Sequence, residues 1–343
     1  MRPAAAGLRN TARHHQSDGT RDISASPAVW RAVQRRPASH VSLKRSGRDP
    51  SAQRVTRSNS HDAVARVRGV IPALNLTHGA QMPQIGLGTW PMSDDEAESA
   101  VVAGVEAGYR LFDTAYAYGN EEGVGRGLRA CGLPREELFV ATKLNGQWHG
   151  YLEAQQAWSD SARRLGVEYI DLFMIHWPLP AQDRYVEAFR GLGRLLEDGK
   201  VRAIGGSNFK PAHLQRVIEE TGLVPDINQI ELNPHTIREA ARAYHADNGI
   251  VTQSWAPIGH GRELLREPAI VEIARAHERT PAQIVLRWHI ELGCAVIPKT
   301  SRPERLAENI AIFDFTLEPD EVAAISALDR GEAHADDSDV IGH

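Results

Sequence analysis

The sequence predicts an α/β fold of the (β/α)8 TIM-barrel type, with an N-terminal β-hairpin closing the bottom. Three observations predict it. Short apolar runs alternate with helical patterns eight times from Ile85 onward. The runs are apolar along most of their length, as strands buried on both faces are. Three successive runs also end in groups that carry chemistry: Tyr109–Phe112 delivers Asp113, Leu138–Thr142 delivers Lys143, and Ile170–Ile175 delivers His176. Repeated βα units imply a parallel sheet covered by helices, and eight of them over about 250 residues suit a closed barrel. The rival, an open dinucleotide-binding sheet, would show G-x-G-x-x-G after its first strand, and the chain has no such pattern.

In chain order, residues 1–68 come first. They hold many arginines, four aspartates (Asp18, Asp22, Asp49 and Asp62) and no glutamate, and they lack sustained apolar periodicity. Such a segment buries too little apolar surface to offset its ordering entropy, so a disordered basic extension is expected there. Three accounts of it stand side by side: an inert tail or a start placed too far upstream, a targeting peptide, or a basic arm for an acidic partner. Residues 69–343 then form one barrel domain. With a net charge of −5 for the whole chain, this remainder is distinctly acidic, which disfavours a nucleic-acid partner.

Ala73–Leu76 and the run from Gln81 read as a hairpin with Gly79 in its turn. Ile85–Thr89 is the first barrel strand. Ser93-Asp94-Asp95-Glu96 is a capping box that opens a helix ending near Gly108. Helices follow the next three strands, around Asn120–Ala130, Leu152–Leu165 and Arg184–Glu197. Further strands fall near Val201–Gly205, Ile227–Glu231, Ile250–Ser254 and Ala295–Ile297. Thr280–Gln283 and Ser301–Glu304 read as two more capping boxes, each with proline in the first turn. No run reaches the roughly 18 apolar residues of a membrane span, and the N-terminus lacks the apolar core of a secretory signal. Cys131 and Cys294 fit neither a disulfide framework nor a zinc site. A soluble, cytoplasmic, monomeric protein without a resident metal is expected.

Active sites of such barrels lie at the carboxyl ends of the strands. Adjacent strands stand about 4.8 Å apart, so Asp113 and Lys143 can pair there, with Tyr118 above them and His176 one strand on. An ammonium beside a phenol favours the phenolate and lowers the phenol pKa, which makes Tyr118 a usable acid. His176 can donate to a carbonyl oxygen. Each residue alone has a bland explanation in capping, packing or a solvated loop. Together, on three successive strand ends, they suit protonation of an alkoxide while hydride arrives from elsewhere.

These stretches, Gly108–Glu121, Ala141–Leu144 and Ile175–Pro178, resemble the motifs of the aldo-keto reductase superfamily, and the resemblance runs over residues 71–335. It implies that Asp113, Tyr118, Lys143 and His176 form the catalytic tetrad, with Tyr118 as proton donor. It implies further that Ser207, Asn208 and Gln229 hold a nicotinamide carboxamide and that Trp255 stacks on the ring. Tryptophan in Gln253-Ser254-Trp255-Ala256-Pro257 is similar to the bacterial diketogluconate reductase branch. Lys299, Thr300 and Arg305 surround a helix N-terminus, which favours anions; in the family they take the 2′-phosphate of NADPH, while Glu308 and Asn309 contact adenine. Trp90, Trp148 and Trp177 are expected to wall a pocket for a small carbonyl substrate. The resemblance also allows a barrel that holds NADPH as a non-catalytic regulatory subunit. A metal-dependent hydrolase built on Asp113 and His176 is another reading, but further ligands at other strand ends are missing.

Overall fold

The structure, a computed structural model, describes residues 71–261 and 263–343. The extension expected over residues 1–68 lies outside the described residues. The hairpin is formed by β1 (Ala73–Asn75) and β2 (Gln81–Pro83), paired antiparallel, with Gly79 in the turn at φ 89°. Eight parallel strands follow: β3 (Gly86–Gly88), β4 (Leu111–Asp113), β5 (Phe139–Leu144), β6 (Ile170–Ile175), β7 (Val201–Ser207), β8 (Ile227–Glu231), β9 (Val251–Trp255) and β10 (Ala295–Val296). They pair in sequence order. The ring closes where Ile85 bridges Val296 in parallel and Gly88 N donates to Pro298 O at 3.1 Å. The predicted barrel is present.

Ten helices of the described residues cover it: α1 (Asp94–Ala107), α2 (Glu121–Ala130), α3 (Tyr151–Leu165), α4 (Tyr185–Glu197), α5 (Pro211–Thr221), α6 (Glu239–Asp247), α7 (Pro268–Ala276), α8 (Pro281–Glu291), α9 (Pro303–Ile310) and α10 (Pro319–Ser326). Ser93 and Thr280 cap α1 and α8 with reciprocal Glu96 and Gln283 contacts, as their spacing predicts. Ser301 does not cap α9. Arg302 holds the N-cap instead and Pro303 takes N1, because proline's fixed φ and missing N–H suit the first helical position better than the second.

Alternation along the strands sorts the core into two layers. In β6, Leu172 and Met174 point into the barrel, while Phe173 and Ile175 pack outward under the helices. Each such fully buried side chain contributes about 1.5–3 kcal/mol of transfer free energy. The inner layer continues downward into Leu76, Ala80 and Met82 of the hairpin. Here His78 N and Nδ1 reach the two oxygens of the buried Asp226 carboxylate, both at 2.8 Å, just before β8 begins. Thr77 Oγ1 donates to Gly249 O just before β9. The hairpin therefore seals the amino ends of the strands and leaves the carboxyl ends open. Cys131 and Cys294 are both free, and no helix among the described residues is long and apolar enough to cross a membrane.

Two contacts fix the loop that carries Tyr118. Asn120, fully buried, donates from Nδ2 to Thr89 O and Met92 O, both at 3.0 Å, and accepts from Thr114 Oγ1 at 2.7 Å. Glycines in α2 then let it lie against its neighbours. A Cβ on Gly123 would stand 2.0 Å from Asp94 O, and one on Gly125 2.2 Å from Leu165 O.

Candidate active site

At the open end, Lys143 Nζ meets Asp113 Oδ1 at 2.6 Å and donates to Thr114 O at 3.0 Å. Both side chains are buried. Lys143 belongs to β5 rather than following it, two residues beyond Ala141, the partner of Asp113 in the β4–β5 pairing. Tyr118 ends a 3-10 turn, Tyr116–Tyr118, that Gly119 terminates in the left-handed region. Its half-buried ring lies 5.2 Å from Lys143 Nζ, measured to the centroid, and edge-on to His176 at 5.6 Å. The four residues from three strand ends come together as the sequence predicts.

Their electrostatics depart from expectation at one point. Burial raises the Tyr118 pKa, and the Lys143 ammonium pulls it down without prevailing, so the net direction is upward. Desolvation of a phenolate outweighs one nearby cation that is itself tied to a carboxylate. For Lys143, burial works downward, but Asp113 and Tyr118 more than compensate, and its pKa rises. The ammonium thus persists in a buried site. Burial first, then the Lys143 charge and His343, hold His176 well below its ordinary value, so its ring is neutral at neutral pH. His176 Nδ1 is buried without a hydrogen-bond partner.

Gln229 has a role that its sequence context did not reveal. Its Nε2 donates to Asp113 Oδ2 at 2.9 Å and to Gln253 Oε1 at 2.6 Å. Asn208, at φ 63°, donates to His176 O and Ser207 Oγ, both at 3.1 Å, and accepts from Trp255 Nε1 at 2.9 Å. Lys210, not Asn208, is the N-cap of α5. The half-buried Trp255 ring is therefore oriented by its own indole N–H.

From the tetrad a groove of about 1820 Å³ runs past Trp255 to the start of α9. Lys299 and Arg305 are exposed along it and make no ion pair among the described residues. Thr300 Oγ1 accepts from Arg302 N at 3.2 Å. Glu308 and Asn309 line the far end, where Glu308 Oε1 accepts from Thr280 Oγ1 at 2.6 Å. Trp90, 56% exposed, and the buried Trp177 line the near end. Trp148 does not. It packs edge-on to Tyr116 at 6.4 Å and against the outer core, because the loop turns after Asn145, and Asn145 takes the place at the groove.

The tail also returns to this rim. Asp337 and Asp339 pair with Lys210, Asp339 pairs with His213, and His343 O accepts from Gly146 N at 3.3 Å. The His343 ring stands edge-on to His176 at 4.8 Å. Nothing in the polar run after Leu328 signals that return. Asn145 had one signal, its place two residues beyond Lys143. Among the described residues no three His, Cys, Asp or Glu side chains gather in a way that could hold a metal ion.

Fold and site together define a barrel oxidoreductase with a long, open groove beside its reacting groups. The Aldo/keto reductase family model matches residues 84–330, and the chain belongs to that family. An aldo-keto reductase of Mycobacterium avium is 47% identical over 270 residues, covering 79% of this chain and 94% of that protein. The methylglyoxal reductase DkgA of Salmonella typhimurium is 45% identical over 271 residues, covering 78% and 98%. Among solved structures, apo Gox0644 superposes with a TM-score of 0.77 at 43% identity, covering 80% of this chain and all of that one. The Bombyx mori aldo-keto reductase in complex with NADP superposes with a TM-score of 0.72 at 35% identity, covering 76% and 94%.

Proposed function

We propose that this protein reduces aldehydes and ketones to alcohols with NADPH, using Tyr118 as the general acid. The observation that carries the reading is the buried Asp113–Lys143 pair beneath Tyr118 and His176, at the head of a groove leading to Lys299 and Arg305. The residues fit the cofactor. Unpaired cations beside the α9 N-terminus suit a ribose 2′-phosphate, with Thr300 beside them and Glu308 and Asn309 at the adenine. The Ser207 hydroxyl proton and the Gln229 carbonyl oxygen stay available for a carboxamide, since the Asn208 amide and the Gln229 NH2 group are engaged within the protein. Trp255 offers a flat face for a ring. When bound, NADPH supplies the hydride.

The protein groups do the rest. Neutral His176 carries one ring proton. Nδ1 faces no acceptor, so the tautomer protonated at Nε2 serves to donate to the carbonyl oxygen. As negative charge builds there, the Tyr118 O–H bond breaks and its proton passes to that oxygen. The resulting phenolate is stabilised by the Lys143 ammonium, which Asp113 holds in place. Burial that raises the Tyr118 pKa keeps the proton on the phenol until a stronger base, the alkoxide, forms. Solvent then restores it.

The test is an NADPH-oxidation assay on the purified protein with methylglyoxal-type dicarbonyls, aryl aldehydes and sugar ketones. Turnover of at least one class supports the reading. Tight NADPH binding with no oxidation by any class would instead indicate a binding subunit.

A further inference from the structure

Strands β8 and β9 carry the same short pattern, Ile227-Asn228-Gln229 and Val251-Thr252-Gln253, in matching register. Ile227 and Val251 pack into the inner core, and alternation sends Gln229 and Gln253, two residues on, to the same inward face. Asn228 and Thr252, between them, turn outward to His245. Gln253 is therefore a fully buried polar side chain with apolar neighbours, Ala295 beside it on β10 and Met82 of the hairpin. Its Oε1 accepts from Gln229 Nε2 at 2.6 Å, while its own Nε2 finds only Met82 Sδ, 3.6 Å away. A thioether is a weak acceptor, so this amide is costly to bury and is well answered at one end only. An apolar side chain would fill the place at less cost.

The well-answered end decides how Gln229 is held. The Asp113 carboxylate only accepts, so the nitrogen of the Gln229 amide must face it. One hydrogen bond is an axis about which an amide still swings. Two bonds from one NH2 group, to Asp113 Oδ2 at 2.9 Å and to Gln253 Oε1 at 2.6 Å, fix its plane. Gln229 Oε1 is then left with one direction. It accepts no hydrogen bond among the described residues, and it stays open to the groove that Gln229 lines. Gln253 does not line that groove.

We infer that Gln253 is a positioning residue for the cofactor. Out of reach of the nucleotide itself, it turns Gln229 so that Oε1 meets the NH2 group of a nicotinamide carboxamide. This rests on the NADPH reading above. Without the Gln253 acceptor, the Gln229 amide swings on Asp113 alone and no longer tells a ring that offers an NH2 group from one that does not.

The experiment compares the affinities of NADP and of its 3-acetylpyridine analogue, which keeps the carbonyl but carries a methyl group in place of the NH2. Binding is followed by quenching of intrinsic fluorescence in wild type, Gln253→Leu and Gln253→Glu. Adenosine 2′,5′-bisphosphate, which lacks the ring, checks that fold and groove are intact, and its affinity should stay within about twofold of wild type. Wild type should prefer NADP about tenfold, because the analogue leaves the Gln229 oxygen unpaired. In Gln253→Leu that preference should fall at least about threefold; a smaller fall would overturn the role of Gln253 while leaving the cofactor reading intact. Gln253→Glu keeps an acceptor oxygen at the same place, with or without a proton, and should retain the wild-type preference within about twofold. A collapse there equal to that in the leucine variant would assign the effect to packing and overturn the inference too. Should the leucine variant fail to bind the bisphosphate, Gln253→Met, closer in length, carries the same comparison. If wild type binds neither dinucleotide, or both alike, the carboxamide placement proposed above fails and takes this inference with it.

Discussion

On the proposed reading, Tyr118 releases a proton from a place where burial holds its pKa up, with only the Lys143 charge to help. Removing the hydroxyl therefore removes the step itself. Tyr118→Phe should lower kcat by about 10²–10⁴-fold while NADPH affinity, measured by fluorescence quenching, stays within twofold of wild type. Wild-type-like turnover in that variant would exclude the phenol as the acid. At the other end of the groove, Lys299→Ala or Arg305→Ala should weaken NADPH about tenfold or more, as charge-assisted bonds to a phosphate are lost. NADH, which has no such group, should be affected far less; equal losses for both would contradict phosphate recognition. The meeting of Asp113, Tyr118, Lys143 and His176 was legible in the sequence because each sits at or just past a strand end, and strand ends can be read from apolar runs. The bond from Gln229 to Asp113 was not, since β4 and β8 meet only across the closed barrel.

Among the elements, α2 shows how a sequence can sacrifice local propensity for packing. Glycine in a helix interior costs about 1 kcal/mol relative to alanine, and α2 carries Gly123, Gly125 and Gly127 within ten residues. The close backbone approach to α1 and α3 accounts for this. At an exposed helical site Gly→Ala would stabilise. Gly125→Ala, with its Cβ directed at Leu165 O, should instead destabilise the fold by about 1–3 kcal/mol, and denaturant titration will show the sign. A gain in stability would mean that the helices can part freely. Helix starts were readable where the cap obeys its own chemistry, at Ser93 and Thr280. The start at Ser301 was misread because proline's backbone preference competed with the serine and won. Strands β5 and β7 also run further than the apolar runs suggested, through the buried Lys143–Leu144 and Gly206–Ser207, because barrel pairing extends over them.

For the molecule as a whole, buried neutral imidazoles set a pH dependence. Burial first lowers the pKa of His149 and His245 to about 4 and that of His289 to about 3. Unfolded histidine titrates near 6.5, so below that pH the unfolded chain binds protons that the folded chain refuses. Stability from these groups is complete above about pH 6.5 and is lost as pH falls toward their folded values. Thermal melts should therefore shift downward steadily between about pH 6.5 and 4, and His289→Gln should flatten that slope. A melting temperature that holds level across the range would exclude these rings as the cause. The barrel was legible at this scale because eight alternations leave few other closures. The tail's return was not, since its hold on Lys210 and His213 pairs residues more than a hundred positions apart. The hairpin, finally, governs traffic. With Met82 as a stopper below and Trp90 and Trp177 flanking the near end of the groove, whatever settles lower there must enter first and depart last. On the proposed reading the alcohol has to clear that end before the oxidised nucleotide can be exchanged, so product inhibition should track the order of exit.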